Sequence, residues 1–471
     1  MRPRSPTPLR PTPPRALAWA ARRTLTGLLV LALSVVSTAR DDGAEQPGAV
    51  SAQASAALAS LGQVPAWPLW VESGRGTAVT VLAADGTLWY VDGSAAGQGA
   101  VRLARGLAGE QATACGPALL IVDERGALRR LPRAPDLPVV SAIGPPVSRF
   151  HKPACGADGG VLALDPNGAL LSLTRELEPL ALARVAALPD AELVVLDLGV
   201  LDLGDGVSAV AVLTEPTQRY RHGALGDEVE AASVTVLRLP DLEPLGTWAP
   251  APPAVIEARR PTPWRRGDEA GLYVTVSDDR DGARVVRLVL DESGLQAVAS
   301  GAPLGASQRW LHLIGATGGT AYAMHDPHDG GPLARYADAA GSEPGPFDGS
   351  LHARTTVLVA TTFAVGLQSH VDGERLLDRA VLVGALEDGA DLLLVPSADQ
   401  HALVWLRCDD ASCAVVATVP LPSPLATNVT LAPSGLTPEA AVLADRSGGV
   451  WWLPLPLPLA GEATPPPPRE R

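Results

Sequence analysis

The chain repeats one short unit: an apolar strand, an acidic turn containing glycine, and a second apolar strand. The clearest copies are "AVTVLAADGTLWYV" (78–91), "ALLIVDERGALRRL" (118–131) and "GVLALDPNGALLSL" (160–173). Their turn glycines, Gly86, Gly126 and Gly168, recur at a nearly constant spacing. Looser copies follow at 272–290, 321–336, 392–408 and 441–455. Between the third copy and these, "LVVLDLGVLDLGDGVSAVAVL" and "ASVTVLRL" read as another unit, split by a polar insertion around 215–231. The turn chemistry has a mechanism. Aspartate bonds its own backbone in tight turns, and glycine supplies a positive φ.

The strands constrain the fold further. "TVLAADGTLWYV" is apolar at both alternating sets of positions, whereas a sheet with one wet face alternates apolar and polar. Such a small sheet must be covered on both sides, and blades packed radially around an axis achieve this. With 47 Gly and 45 Pro in 471 residues, a helical bundle is excluded. The expectation is an all-β fold, a β-propeller of seven or eight blades of short antiparallel strands over residues 66–458. Serial double-sheet sandwiches are the alternative. The "PLWV" stretch (68–71) is expected to close the last blade.

The N-terminus reads as an address. Residues 1–23 hold six arginines and no acid, then Thr24–Ala39 is an uncharged, largely apolar run ending in Ser37-Thr38-Ala39. That is the layout of a secretory signal peptide, 1–39, with an uncleaved anchor as the competing reading. Arg22-Arg23 fits twin-arginine export. Residues 40–65 read as a flexible linker and 459–471 as a Pro-rich disordered tail. No apolar run is long enough for a membrane helix, so no span is expected once the signal is removed. The predicted location is exported, either periplasmic or extracellular at the cell surface.

Four cysteines, an even number, suit an oxidising compartment. Cys408 and Cys413 flank a short acidic turn between two strand-like runs and are expected to form a disulfide across a hairpin. Cys115 and Cys155 occupy matching places in successive repeats, but the spacing alone leaves the connectivity open.

The first unit, "GRGTAVTVLAADGTLWYVDG" (74–93), resembles a repeat of the RCC1-type β-propeller family, with Gly74, Gly86, Trp89 and Gly93 in the characteristic places. Cys115-Gly116 with Gly126, and Cys155-Gly156 with Gly168, continue the pattern without its closing Trp-Gly. The resemblance covers about an eighth of the chain. It implies a propeller and no activity.

Several clusters merit a chemical reading. His325, His328 and Asp329, in "HDPHDG", are donors suited to Zn²⁺, although Pro327 and Gly330 also mark an ordinary wet turn. "DRDG" (279–282) and "DLGDG" (202–206) resemble Ca²⁺ loops but lack the distal Glu. Arg259, Arg260, Trp264, Arg265 and Arg266 form an Arg–Trp cluster suited to an anion or a partner's carboxylates, or else a solvated loop. Asn428-Val429-Thr430 is a formal glycosylation acceptor. Trp89, Trp405, Trp451 and Trp452 read as blade packing, with Trp67, Trp70 and Trp310 unassigned. Ser397, Asp399 and His401 share one turn and cannot assume triad geometry. No nucleophile elbow or phosphate loop is present, and Lys152 is the single lysine.

Acids outnumber bases by 51 to 37, a net charge of −14, so nucleic acid is not an expected partner. The favoured function is a monomeric, non-catalytic binding scaffold, without a cofactor, that engages a protein or polysaccharide through its loops and channel rim. The alternative is a propeller enzyme, a metal-dependent hydrolase or lyase or a quinoprotein, with its site in the channel.

Overall fold

A computed structural model describes residues 58–456, except 75, 95–98, 109–111, 136–140, 149–151, 157, 167–168, 184–192, 205–206, 217–232, 252–253, 257–260, 279–281, 302–310, 318, 326–332, 339–349, 357–379, 398–399, 410–412 and 435–436. All of these belong to one compact unit, Gln53–Arg471. Among the described residues there is no helix, and thus none long and apolar enough to cross a membrane.

The strands form eight antiparallel blades arranged as a β-propeller. Blade 1 runs from its inner strand Pro68–Ser73 through Ala78–Ala83 and Leu88–Asp92 to Val101–Ala104. Blades 2 and 3 follow over 113–146 and 154–183, and blade 4 over 193–248. Blade 5 (255–301) has a broken inner strand, because Val255–Ile256 and Thr262–Arg266 both pair with Glu269–Asp278. Blades 6 and 7 occupy 311–356 and 381–420. The outer strands of blades 5 and 6 touch in parallel at Ser300–Ser350 and Gly301–Leu351, which joins the two into one sheet.

Blade 8 is built from both ends of the chain. Thr430–Ser434, Thr437–Ala444 and Gly449–Pro454 come from the C-terminal region, and Ala59–Gln63 adds as the outermost strand. Two expectations are corrected here. Residues 59–63, read as part of a linker, form a strand, and they close the ring. The 68–71 stretch is instead the inner strand of blade 1. The misreading has a simple cause: Ala59–Gln63 is half exposed at a sheet edge and carries little apolar signal.

The doubly apolar strands are explained by what lies on either side of them. Val79 and Val81 of blade 1 pack on Ala440, Val442 and Val450 of blade 8, while Leu82 and Leu88 pack on Leu119 and Ile121 of blade 2. Leu120 and Val122 then meet Val161 and Ala163 of blade 3, whose Leu162 and Leu164 meet Val210 and Val212 of blade 4. The same step recurs at the four remaining seams. Among the described residues, the eight apolar clusters correspond to the eight seams.

Turn aspartates tie hairpins to their own backbone. The Asp123 carboxylate accepts the Arg125 and Ala127 N–H groups at 2.9 Å. Asp445 accepts the N–H groups of Ser447 at 2.8 Å and Gly449 at 3.1 Å, and the Trp451 indole N–H at 2.8 Å. Gly86 has φ +72° and lies so close to Leu107 that a Cβ would meet its carbonyl oxygen at 2.4 Å, so only glycine fits this turn. Leu107 in turn donates its N–H to the Gly86 carbonyl at 3.1 Å, which locks the turn to the next blade.

Both disulfides are formed. Cys408–Cys413 crosses the outer hairpin of blade 7, as expected. Cys115–Cys155 joins the inner strands of blades 2 and 3, which settles the connectivity left open by the sequence. The ring closure is further pinned by Asn428. This buried side chain accepts the Val71 N–H and donates to the Val71 carbonyl, both at 2.9 Å. Asn428 is therefore a clasp between blades 8 and 1, unavailable to a glycosyltransferase in the folded protein.

The clasp and the disulfides make stability predictions. Asn428→Ala strands two buried backbone groups of Val71 and is expected to cost about 2 kcal/mol in denaturant unfolding. Removing Cys115–Cys155, whose partners are 40 apart in sequence, is expected to cost about 4 kcal/mol, against about 2 kcal/mol for the short Cys408–Cys413 link. Equal losses in the two paired Cys→Ser variants would contradict the loop-closure argument.

Candidate functional site

The inner strand of blade 1 reads Pro68-Leu69-Trp70-Val71-Glu72-Ser73. Val71 packs toward blade 8, so alternation directs Trp70 and Glu72 toward blade 2. There Arg133, just past the third strand of blade 2, brings its Nη2 to 3.7 Å from Glu72 Oε1. Arg133 is itself anchored: Nη1 donates to the Gly116 carbonyl at 3.0 Å, and its own carbonyl accepts the Thr80 hydroxyl at 2.7 Å. From blade 8, the Thr430 hydroxyl donates to Glu72 Oε1 at 3.4 Å. From the approach to blade 3, Lys152 places its Nζ 4.3 Å from the centre of the Trp70 ring, a cation–π contact.

Four blades thus converge at their inner ends on one acid, two cations and an indole. Burial pushes the Glu72 carboxyl above its ordinary 4.5, against the opposing pull of Arg133, Lys152 and the Thr430 hydroxyl. Burial also lowers the Arg133 guanidinium, which Glu72 partly offsets. The environment is partly desolvated, and charge there is expensive unless matched. Sequence reading passed over Glu72, Arg133 and Lys152 because they lie in three different repeats, and only the ring brings them together. The faint signal was a single lysine placed immediately before an inner strand.

Two further polar networks lie in seams. Arg287, fully buried, pairs with Asp338 across blades 5 and 6, and its Nη1 donates to the Tyr273 hydroxyl at 3.4 Å. Burial raises the Tyr273 hydroxyl to about 12. Across blades 6 and 7, the Tyr322 hydroxyl donates to Asp391 at 2.8 Å and accepts Arg335 Nε at 3.2 Å.

Of the Arg–Trp cluster expected from the sequence, the three described residues, Trp264, Arg265 and Arg266, are directed to different partners. Trp264 is buried in the seam between blades 5 and 6, with its indole N–H on the Leu288 carbonyl at 3.2 Å. Arg265 turns to Asp202 of blade 4 at 3.1 Å, and Arg266 to Asp338 of blade 6 at 3.6 Å. A strand alternates its side chains, which sends these neighbours to different blades. Arg259 and Arg260 lie outside the described residues.

His325 ends the second strand of blade 6, and His328 and Asp329 lie outside the described residues. Asp279 to Asp281 also lie outside them, as do Asp205 and Gly206. Asp202 accepts the Gly204 N–H at 2.8 Å in addition to its pairing with Arg265. Among the described residues, no group of three or more His, Cys, Asp or Glu is placed to hold a metal. Trp405 is fully buried; Trp451 and Trp452, on the third strand of blade 8, are partly buried in its seams with blades 7 and 1; and Trp89 lines the seam between blades 8 and 1. Trp70 is buried and Trp67 is exposed. Trp310 lies outside the described residues.

The Glu72 environment predicts a pH signature. A carboxyl raised by burial stabilises the fold when protonated, and that stability is lost as pH rises through its folded-state value. Glu72→Gln is therefore expected to melt higher than wild type at pH 7, with the gap closing below the ordinary glutamate range. A difference that stays constant with pH would overturn this account of the site.

No family model matches the chain, the RCC1-type repeat included, and no curated protein matches it. Solved structures do match in fold. The Dos1 propeller aligns with a TM-score of 0.52 at 11% identity, over 86% of this chain and 97% of that one. BamB from Moraxella catarrhalis aligns at 0.47 and 11% identity, over 85% and 100% of the respective chains. The computationally designed Ika8 protein aligns at 0.46 and 12% identity, over 84% and 98%. Identities this low speak to fold alone, and of the three the Dos1 match supports it: the chain is an eight-bladed β-propeller.

Proposed function

We propose that this chain is an exported propeller acting as a non-catalytic binding scaffold, with its partner engaged at the channel rim and the turn-bearing loops. The observation that carries the reading is the meeting of Glu72, Arg133, Lys152 and Trp70 at the inner ends of blades 1 to 3. Two cations, an indole and a matched carboxyl form a recognition set. Arginine is among the residues on which binding energy concentrates, and the buried Trp70 ring holds Lys152 in place. Elsewhere in the ring, Asp123, Asp165 and Asp445 spend their carboxylates on their own turns. Export is supported by the two disulfides, which persist in oxidising compartments, and by the basic, apolar and small-residue layout of residues 1–39. The partner is a protein or a polysaccharide.

The competing reading is an enzyme with a metal or a quinone in the channel, and composition separates the two. Protein purified from its exporting cells is expected to carry no stoichiometric metal by elemental analysis and no quinone absorbance. Either one at near one per chain would overturn the scaffold reading.

A further inference from the structure

Trp67 stands on the link between Ala59–Gln63, which closes blade 8, and Pro68–Ser73, which opens blade 1. It is 54% exposed, unlike any other tryptophan whose side chain is described. A tryptophan ring open to solvent offers a large flat contact face with a polar edge, and this residue type is enriched at binding surfaces.

The surroundings hold it in place. The Trp67 carbonyl accepts the Ala84 N–H at 2.8 Å, and the Val64 N–H donates to the Gly448 carbonyl at 3.0 Å. Gln63 Nε2 donates to the Ser447 carbonyl at 3.1 Å. Gly448 has φ +89°, and a Cβ there would meet Val64 O at 2.5 Å, so the turn and the link fit closely. Arg446, on the exposed turn of blade 8, sets its guanidinium carbon 5.9 Å from the Trp67 ring centre. Its Nη2 donates to Gln400 Oε1 of blade 7 at 3.3 Å. Gln400 is buried and held by backbone bonds of 2.9 Å to Ser397 and Leu425. Three blades therefore present one indole and one guanidinium in a fixed arrangement.

We propose that Trp67, Arg446 and Gln400 form a binding platform for a neutral saccharide. The indole face is electron-rich and takes the weakly positive C–H face of a pyranose ring. Arg446 carries five N–H donors and uses one on Gln400, which leaves donors for sugar hydroxyls. Prior fixing of both groups reduces the ordering cost of binding. A protein partner fits less well, because a protein interface has a contiguous apolar core. The other large exposed apolar side chains lie elsewhere: Val101, Ile143, Leu180, Leu182 and Val415 on outermost strands, and Val207 at the start of the second strand of blade 4. In the chain Trp67 lies between Ala66 and Pro68, and the turns hydrogen-bonded to this link carry the polar residues Asp85 and Ser447. A net charge of −14 disfavours an acidic glycan.

This inference rests on the scaffold reading and names one ligand class for it. Calorimetric titration of the full chain with cellohexaose, chitohexaose and maltohexaose tests it. At least one is expected to bind, with Kd between about 10 μM and 1 mM. Trp67→Ala is expected to weaken that binding at least about tenfold while melting within about 2 °C of wild type, because the side chain is exposed. Trp67→Phe is expected to retain part of the affinity, and Arg446→Ala to lose part of it. Because the site straddles the closure, bound sugar is also expected to slow amide exchange in Ala59–Gln63. Failure of all three sugars to bind at about 5 mM, or unchanged binding by Trp67→Ala, would overturn the inference. Capture of a protein partner by a protein that ignores the sugars would do the same, and would leave the scaffold reading standing. Stoichiometric metal or quinone would strike that reading alone.

Discussion

Each blade of this ring buries apolar side chains on both faces, and only a neighbour on each side makes that possible. A lone blade would expose one whole set of leucines and valines. An open row of blades would expose them at its two ends. At about 25 cal/mol per Å² of apolar area, leaving such faces wet would cost more than a domain's net stability. Closure is therefore a requirement of the strand composition. The seam between blades 8 and 1, where Val79 and Val81 meet Val442 and Val450, is the place where the two ends of the row of blades meet that requirement.

Closure here has three independent supports. Ala59–Gln63 completes blade 8 with a strand from the other end of the chain. Asn428 exchanges two hydrogen bonds with Val71. The Ser73 hydroxyl donates to the Leu431 carbonyl at 2.8 Å. These contacts join segments from opposite ends of the ring, so the entropy of bringing the ends together is repaid only when the ring is complete. The Cys115–Cys155 bond works on a shorter span, fixing the inner edges of blades 2 and 3 beside the position from which Lys152 reaches Trp70.

The polar groups divide by depth. Turn aspartates serve the backbone at hairpin turns. Buried charges such as Arg287 and Asp391 lie in seams, where each faces a partner from the adjoining blade. Glu72, Arg133 and Lys152 gather at the inner ends, and Trp67 with Arg446 lies on the link and turn that meet at the closure. A rigid ring with fixed side chains at its axis and along its turns suits recognition, since little ordering remains to be done on binding.

The regular repeat, the Asp and Gly turns and the doubly apolar strands depend only on local alternation and turn chemistry, so residues 78–91 and 118–131 announced blades directly. The same locality made Cys408–Cys413 legible, because one hairpin fixes both partners. The ring's closing strand was not legible, since Ala59–Gln63 is short, half exposed and defined by a partner strand, Gly449–Pro454, at the far end of the propeller. Nor was the cluster around Glu72. Glu72 and Arg133 look like ordinary surface charges in sequence, and Trp264 looks like a recognition residue until the seam buries it. Which residues meet at an axis depends on how many blades surround it and where each strand begins, and the chain settles those quantities only by closing on itself.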